Sequence, residues 1–199
     1  MPRRFCLSAG KEIKMNNLVN VGCVGIWLDE IVPCLEDSST GEIKETVVFK
    51  IESRSFLKKF TKKNGWEINW IEMPQDTEVY ALALKENNEI QGLVGVKNMP
   101  DSKAAYLHWA CCAPQNNKHA FATQKYKGVG GHLFAIAIDK SIQWGYDGVI
   151  YGYALNKTLL IHYIERMGCS HIGILHPYHF MLGPLNARKL LETYTYEWN

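Results

Sequence analysis

Apolar and polar positions follow two different rhythms along this chain. From residue 78 to residue 112 the rhythm is that of strands. Residues 79–85 (VYALALK), 90–97 (IQGLVGVK) and Ala104–Cys112 (AAYLHWACC) are apolar runs separated by short polar stretches. Runs of this length joined by tight polar turns predict an antiparallel meander. Beyond Pro114 the spacing changes. Residues 132–144 read as a mostly apolar helix and residues 148–155 (GVIYGYAL) as a strand. Lys157–Met167 places Leu159, Leu160, Tyr163, Ile164 and Met167 at helical spacing, and Gly168 ends that helix. Residues 170–175 and 178–182 read as strands on either side of His176-Pro177, and residues 186–192 as a closing helix. The expected fold class is α/β (α+β). It is a mixed sheet in which an antiparallel meander is followed by β-α-β-α-β-β, with helices on both faces.

The first third is read from its punctuation. Residues 28–35 and 42–52 are extended runs flanking the turn-rich EDSSTG, so a hairpin is expected, with Pro33 confining the first run to an edge. In residues 53–66, Ser53 or Ser55 caps a helix whose apolar side is Phe56, Leu57 and Phe60, and Asn64-Gly65 stops it. No repeat or low-complexity linker divides the chain. One domain over residues 1–199 is expected, with residues 17–75 as an N-terminal elaboration and residues 78–182 as the core. Residues 1–14 carry no pattern of their own, and Met15 is an alternative first residue.

Composition narrows the function classes. Hydrophobic residues are 47% and charged residues 21% of the 199, the balance of a globular domain and not of a disordered chain. Lys+Arg 22 against Asp+Glu 20 leaves a net charge of +2, so no chain-wide basic field for nucleic acid is present. No apolar run approaches the ~18 residues that span a bilayer, and the basic first residues lack an apolar signal core. A cytoplasmic location and no membrane partner are therefore expected. None of the six cysteines has C-x-x-C spacing, which predicts reduced, mostly buried thiols. Cys111 and Cys112, adjacent on a strand, point to opposite faces and make poor joint metal ligands. No metal is expected.

The segment with chemical promise is Lys125-Tyr126-Lys127-Gly128-Val129-Gly130-Gly131. It follows a strand and loop and opens a helix. Gly128 and Gly130 remove side chains where a ligand approaches the backbone, the helix N-terminus favours an anion, and Lys125 and Lys127 add positive charge. A pyrophosphate suits such a cradle. The Walker pattern is absent, and the loop ends a meander instead of the first strand of a βαβ unit. Residues 125–130 in this topological place resemble the pyrophosphate motif Q/R-x-x-G-x-G/A of the GNAT family of N-acetyltransferases, with Lys125 in place of Gln or Arg. Ala113-Pro114 fits the proline that commonly follows the family's fourth strand. Asn156, Tyr163 and Gly168 resemble its second motif, N-x-x-A-x-x-x-Y-x-x-x-G-F. Leu159 replaces Ala, Cys169 replaces Phe, and one extra residue precedes Gly168, so Ile164 takes the Tyr place if Gly168 sets the register.

The resemblance, over residues 78–182, implies acetyl-CoA as cosubstrate. It would lie where the strands at 104–112 and 148–155 splay. Backbone groups of Ala110, Cys111 and Cys112 would bind the pantetheine arm and polarise the thioester. Lys125, Tyr126, Lys127, Gly128, Val129, Gly130 and Gly131 would hold the pyrophosphate, with Asn156 beside the cofactor. An amine, from a small molecule or peptide, would attack directly. Tyr163 is the candidate acid, its phenol roughly matching a thiol leaving group. His108 is the candidate base, expected to share a strand face with Tyr106 and Ala110. His176-Pro177-Tyr178-His179, Trp66 and Trp70 border the acceptor side or pack as core. Arg54, Lys58, Lys59, Lys62 and Lys63 line a solvated helix or an RNA-facing surface. Two other functions stay open: a non-catalytic acyl-CoA-binding module, and a toxin acetylating aminoacyl-tRNA. A homodimer stays open too.

Overall fold

The computed structural model describes residues 22–28, 31–117 and 124–199. The patternless residues 1–14, Met15, part of the 28–35 run and most of the 115–124 loop lie outside them. Fourteen elements organise the described residues. The strands are β1 (Leu35–Asp37), β2 (Ile43–Lys44), β3 (Thr46–Lys50), β4 (Glu78–Leu84), β5 (Ile90–Met99), β6 (Ala104–Cys112), β7 (Tyr126–Lys127), β8 (Ile150–Tyr153), β9 (Ser170–His171), β10 (His179–Leu182) and β11 (Glu197–Trp198). The helices are α1 (Val129–Gln143), α2 (Lys157–Met167) and α3 (Pro184–Leu191).

Eight strands form one mixed sheet in the order β11-β3-β4-β5-β6-β8-β10-β9. β4, β5 and β6 are the expected antiparallel meander. β6 and β8 run parallel, because α1 carries the chain back across the sheet between them. The order after β6, with α1 and α2 as crossovers, is the expected β-α-β-α-β-β. A second, three-stranded sheet, β2-β1-β7, holds the N-terminal hairpin. The hairpin turns where expected. Asp37 Oδ1 accepts hydrogen bonds from Ser39 N–H (2.8 Å) and Ser39 Oγ–H (2.6 Å), and Gly41 takes a φ of 73°. Its arms are shorter than the apolar runs, because residues 42–52 divide between two sheets at Glu45.

Each face of the large sheet has its own core. On β4, Tyr80, Leu82 and Leu84 point to one side and Val79 and Ala81 to the other, the period-two signature of a strand buried on both faces. The first face is covered by α1, α2 and α3. Phe134 of α1, fully buried, has its ring centroid 5.2 Å from Tyr163 of α2 and 6.1 Å from Phe180 of β10. The second face carries helices too, as expected, but they are short 3-10 turns at Arg54–Lys59, Lys62–Asn64 and Trp70–Glu72. The single helix expected after Ser53 is thus two turns. Thr61 breaks it, accepting the Asn64 N–H at its hydroxyl, and the Arg54 guanidinium ties the first turn to the carbonyls of Ile71, Met73 and Pro74. Trp66 and Trp70 lie inside this second core, Trp70 fully buried with its ring edge-on to Trp66 and Trp109.

Phe134→Ala should cost about 3–5 kcal/mol of unfolding free energy, since it empties the junction of α1, α2 and β10. Urea denaturation measures it. A loss under 1 kcal/mol would mean that the three elements do not pack through this ring.

Candidate functional site

β6 and β8 pair only over Ala105–Leu107 and Ile150–Gly152. Past Leu107 they diverge and no longer pair with each other. The splay that the resemblance implied for these strands is present. A further segment of the chain, residues 22–28 (GCVGIWL), lies in it. Val24 bridges Ala110 of β6 on one side and Ala154, just beyond β8, on the other, both parallel. Val24 N–H donates to the Tyr153 carbonyl (2.7 Å), and Leu155 N–H donates to the Val24 carbonyl (2.9 Å). Val24, Ile26 and Leu28 are buried under the helices.

α2 covers the fork. Asn156 caps it, its Oδ1 accepting the Leu159 N–H at 2.9 Å, and left-handed Gly168 closes it. This phase turns Tyr163, not Ile164, to the sheet: Tyr163 is fully buried and Ile164 is exposed. The Tyr163 hydroxyl accepts the Ile26 N–H (3.1 Å) and donates to the Ile26 carbonyl (2.8 Å). Burial pushes its pKa well up, so the phenol stays protonated. One helical position earlier, His162 accepts the Leu28 N–H at Nε2 (2.9 Å) and sets its ring 4.6 Å from Trp27.

The glycine loop stands at the open end of the fork. Tyr126 and Lys127 are not loop but β7, paired with Asp37 and Glu36 of the hairpin. Gly128 then takes a φ of 90° as the residue before α1, a conformation that favours glycine. A methyl group on Gly128 would overlap Val32, and one on Gly130 would overlap Ile26 and stand 2.6 Å from the Trp27 carbonyl. One on Gly131 would overlap the Tyr194 ring. Val129 is buried in the main core. The two lysines are ion-paired, Lys127 Nζ to Glu36 (2.9 Å) and Lys125 Nζ to Glu89 (3.3 Å). His132, fully buried, sets its two ring nitrogens 2.8 Å from the Gly128 carbonyl and 3.1 Å from that of Pro33.

β6 corrects one expectation. Alternation from His108 places Ala110 on the same face, but the strand bulges there. Gly95 of β5 pairs with Trp109, Val96 with Leu107, and His108 is the extra residue. Leu107 and Ala110 consequently share the helix side, while Cys111 turns to the other core. Cys112 packs against the helix side, so the two cysteines do point apart. His108 is buried, 3.5 Å from the Thr77 hydroxyl. Burial, then the Lys97 charge, lowers its pKa to about 4 against a smaller opposing pull from Asp76. Its ring packs against Gly22, the first residue of the segment in the fork.

Glu67 is the residue that the sequence reading missed. It follows the second 3-10 turn and lines a small cavity together with Gly25, Ile26, Cys112, Asn117 and Val129. Its Oε1 accepts from Asn117 Nδ2 (3.1 Å); burial raises the Cys111 thiol and the Tyr163 phenol, and the Glu67 charge adds to both, least at Tyr163. No periodicity marks it, since it sits in irregular chain brought to the fork by Trp66 and Trp70. His176, Tyr178 and His179 surround the fork's far side with Tyr151 and Tyr153, the His179 ring 4.9 Å from Tyr153. Arg54 is committed to backbone carbonyls, and Lys59 lies over the Phe56 ring at 4.5 Å. Among the described residues no cluster of three or more His, Cys, Asp or Glu could hold a metal ion, and no helix is long and apolar enough to cross a membrane.

No family model matches the chain, and no curated protein matches it. Among solved structures, a crystal structure of nourseothricin acetyltransferase is similar over 54% of this chain and 63% of that one, at 17% identity and a TM-score of 0.35. The likeness spans less than two thirds of that chain, and nothing about substrate follows from it.

His108 makes stability depend on pH. Its folded pKa of about 4 lies below the ordinary 6.5, so between those values the unfolded chain holds the proton and the folded one does not. Stability must fall as pH drops through that window, by up to ~1.4 kcal/mol per pH unit from this residue. His108→Gln should flatten the melting-temperature profile from pH 6.5 to 4. Parallel profiles for the two proteins would show that His108 is not held neutral by burial.

Proposed function

We propose that this protein is an acyl-CoA-dependent N-acyltransferase that moves the acetyl group of acetyl-CoA to an amine by direct attack. One observation carries the reading: the parallel strands β6 and β8 part beside the glycine-led N-terminus of α1. A fork whose edges pair with a peptide segment, as they do with Val24, can hold an extended amide-bearing arm in the same way that a sheet holds a strand. The amides of Gly128, Val129, Gly130 and Gly131 at the head of α1 suit a diphosphate. The lysines at 125 and 127 reach it only by leaving Glu89 and Glu36, which makes the helix terminus the principal anion site. The motif resemblance over residues 125–130 and 156–168 points the same way.

Each group then has a role. Of the residues Ala110, Cys111 and Cys112, the first and last turn their backbone N–H groups to the fork side of β6, where they would stabilise the thioester's oxyanion, while the Cys111 N–H faces β5. The amine nitrogen bonds to the carbonyl carbon, the C–S bond breaks, and the Tyr163 hydroxyl protonates the departing thiolate. The amine's proton passes to the Glu67 carboxylate, which borders the fork from the face opposite α2. His108 is the second candidate for that proton, but with a pKa of about 4 it is a weak base near neutrality. Tyr106, Tyr151, Tyr153 and His179 pave the acceptor side with neutral aromatic rings.

A second reading is favoured by the engagement of several of these groups. Tyr163 is bonded to Ile26, Asn156 is spent as a helix cap, and the loop lysines are paired. A module that binds acyl-CoA without turnover would look this way. The RNA-directed reading has less support, with Arg54 turned inward.

Calorimetry with acetyl-CoA and a thiol-release assay over pooled amines separate these. The enzyme reading expects binding and thiol release, with Glu67→Gln lowering kcat by about 10²-fold or more while acetyl-CoA affinity stays within twofold. Binding without release for any amine leaves the inert module. No binding at millimolar acetyl-CoA, by the wild type or by Ile26→Ser, removes both.

A further inference from the structure

We infer that residues 22–28 are an internal competitor for the acyl-CoA groove: a strap of this chain's own backbone that must leave before cosubstrate enters. The inference rests on the transferase reading above and adds regulation to the same site.

The strap touches the candidate groups in the order in which an acyl-CoA would meet them. Gly22 lies on the His108 ring and Trp109. Val24 fills the fork between Ala110 and Ala154, and its N–H and carbonyl take the Tyr153 carbonyl and Leu155 N–H. A pantetheine arm, itself a pair of amides in an extended chain, needs those same main-chain partners. Gly25 stands beside the Glu67 carboxylate, within 2.9 Å of where a side chain would begin. The strap engages the Tyr163 hydroxyl from both sides, Ile26 N–H donating to it and the carbonyls of Ile26 (2.8 Å) and Val24 (3.2 Å) accepting its O–H. Ile26 and Trp27 occupy the space above Gly130, and Val32, just past the strap, occupies that above Gly128. The glycines that would admit a diphosphate therefore admit the chain itself. Strap and cosubstrate cannot share the fork, because each β edge has one set of donors and acceptors and Tyr163 has one hydroxyl.

Such competition divides the apparent affinity by the fraction of molecules whose fork is open. Adding acetyl-CoA must then release the strap. In the intact protein, hydrogen exchange should show the amides of Val24, Ile26 and Leu28 protected without ligand and exchanging at least tenfold faster at saturating acetyl-CoA. Ile26→Ser weakens the strap's packing without altering the loop, and should tighten acetyl-CoA binding at least tenfold in calorimetry. A disulfide between Val24→Cys and Ala154→Cys tests the reverse. These positions are bridge partners with side chains on the same face, and neighbouring strands at ~4.8 Å lie within disulfide reach. The oxidised form should lose acetyl-CoA binding, and reductant should restore it.

Unchanged protection at 24–28 on a protein that calorimetry shows to be saturated, or equal binding by oxidised and reduced forms, would overturn the strap while leaving the acyl-CoA reading intact. No binding by wild type, Ile26→Ser or the reduced pair would remove the reading and the strap with it.

Discussion

The structure depends on how the open edges of β6 and β8 are satisfied. Two parallel strands that part after three residue pairs expose main-chain donors and acceptors in the middle of a sheet, beneath a helix layer that keeps water out. A fold with such a fork must fill it. Here Val24 does so, with one residue bridging both strands. The position of α2 follows. Its Tyr163 reaches the filler's backbone, and the Phe134–Tyr163–Phe180 cluster locks that helix onto α1 and β10. The hairpin follows as well, since the chain leaving the fork passes over the glycine loop and pairs β1 with β7.

Electrostatics at the site are quieter than its sequence implies. The KYKGVGG stretch looks strongly basic, yet Lys127 is bound to Glu36 and Lys125 to Glu89 across distances of 2.9 and 3.3 Å. Their charges are largely neutralised locally, and the exposed Lys125–Glu89 pair contributes little to stability. The N-terminus of α1 keeps its dipole and its main-chain N–H groups. On the proposed reading, an anion at this loop would be held by main-chain geometry more than by side-chain charge, and its approach would run over Gly128 and Gly130.

Much of this was legible in residue order. The meander, the two crossover helices and the Gly168 stop of α2 were readable because apolar spacing and a closing glycine agree there, whereas Asn156, expected beside the cofactor, serves as the N-cap of α2. Four things were hidden. The bulge at His108 changes which residues share a face, and it arises from pairing with β5, not from β6 itself. The helix after Ser53 dissolved into 3-10 turns because Arg54 is pulled to carbonyls seventeen to twenty residues on. Residues 22–28 form a short apolar run with two glycines and no alternation, and only tertiary structure says that its partners are Ala110 and Ala154. Glu67 was obscured for the same reason, lying in chain with no period.

Whether such a filler is permanent or displaceable is a question of magnitudes. Burying Val24, Ile26 and Leu28 stabilises the strap by about 5–9 kcal/mol at the usual 1.5–3 per side chain. Its hydrogen bonds to Tyr153, Leu155, Tyr163 and His162 add a few more at about 1 kcal/mol each. Ordering seven backbone residues opposes this with about 7–14 kcal/mol. Gain and cost are of the same size. The two glycines enlarge the cost, being the residues that lose most freedom when fixed, and they contribute no side-chain burial in return. A seven-residue filler of ordinary Val, Ile and Leu would be a fixed strand of the sheet. With glycine at 22 and 25 the segment sits near balance, satisfying the fork when nothing else does and yielding to a ligand that presents the same amides on a less floppy frame.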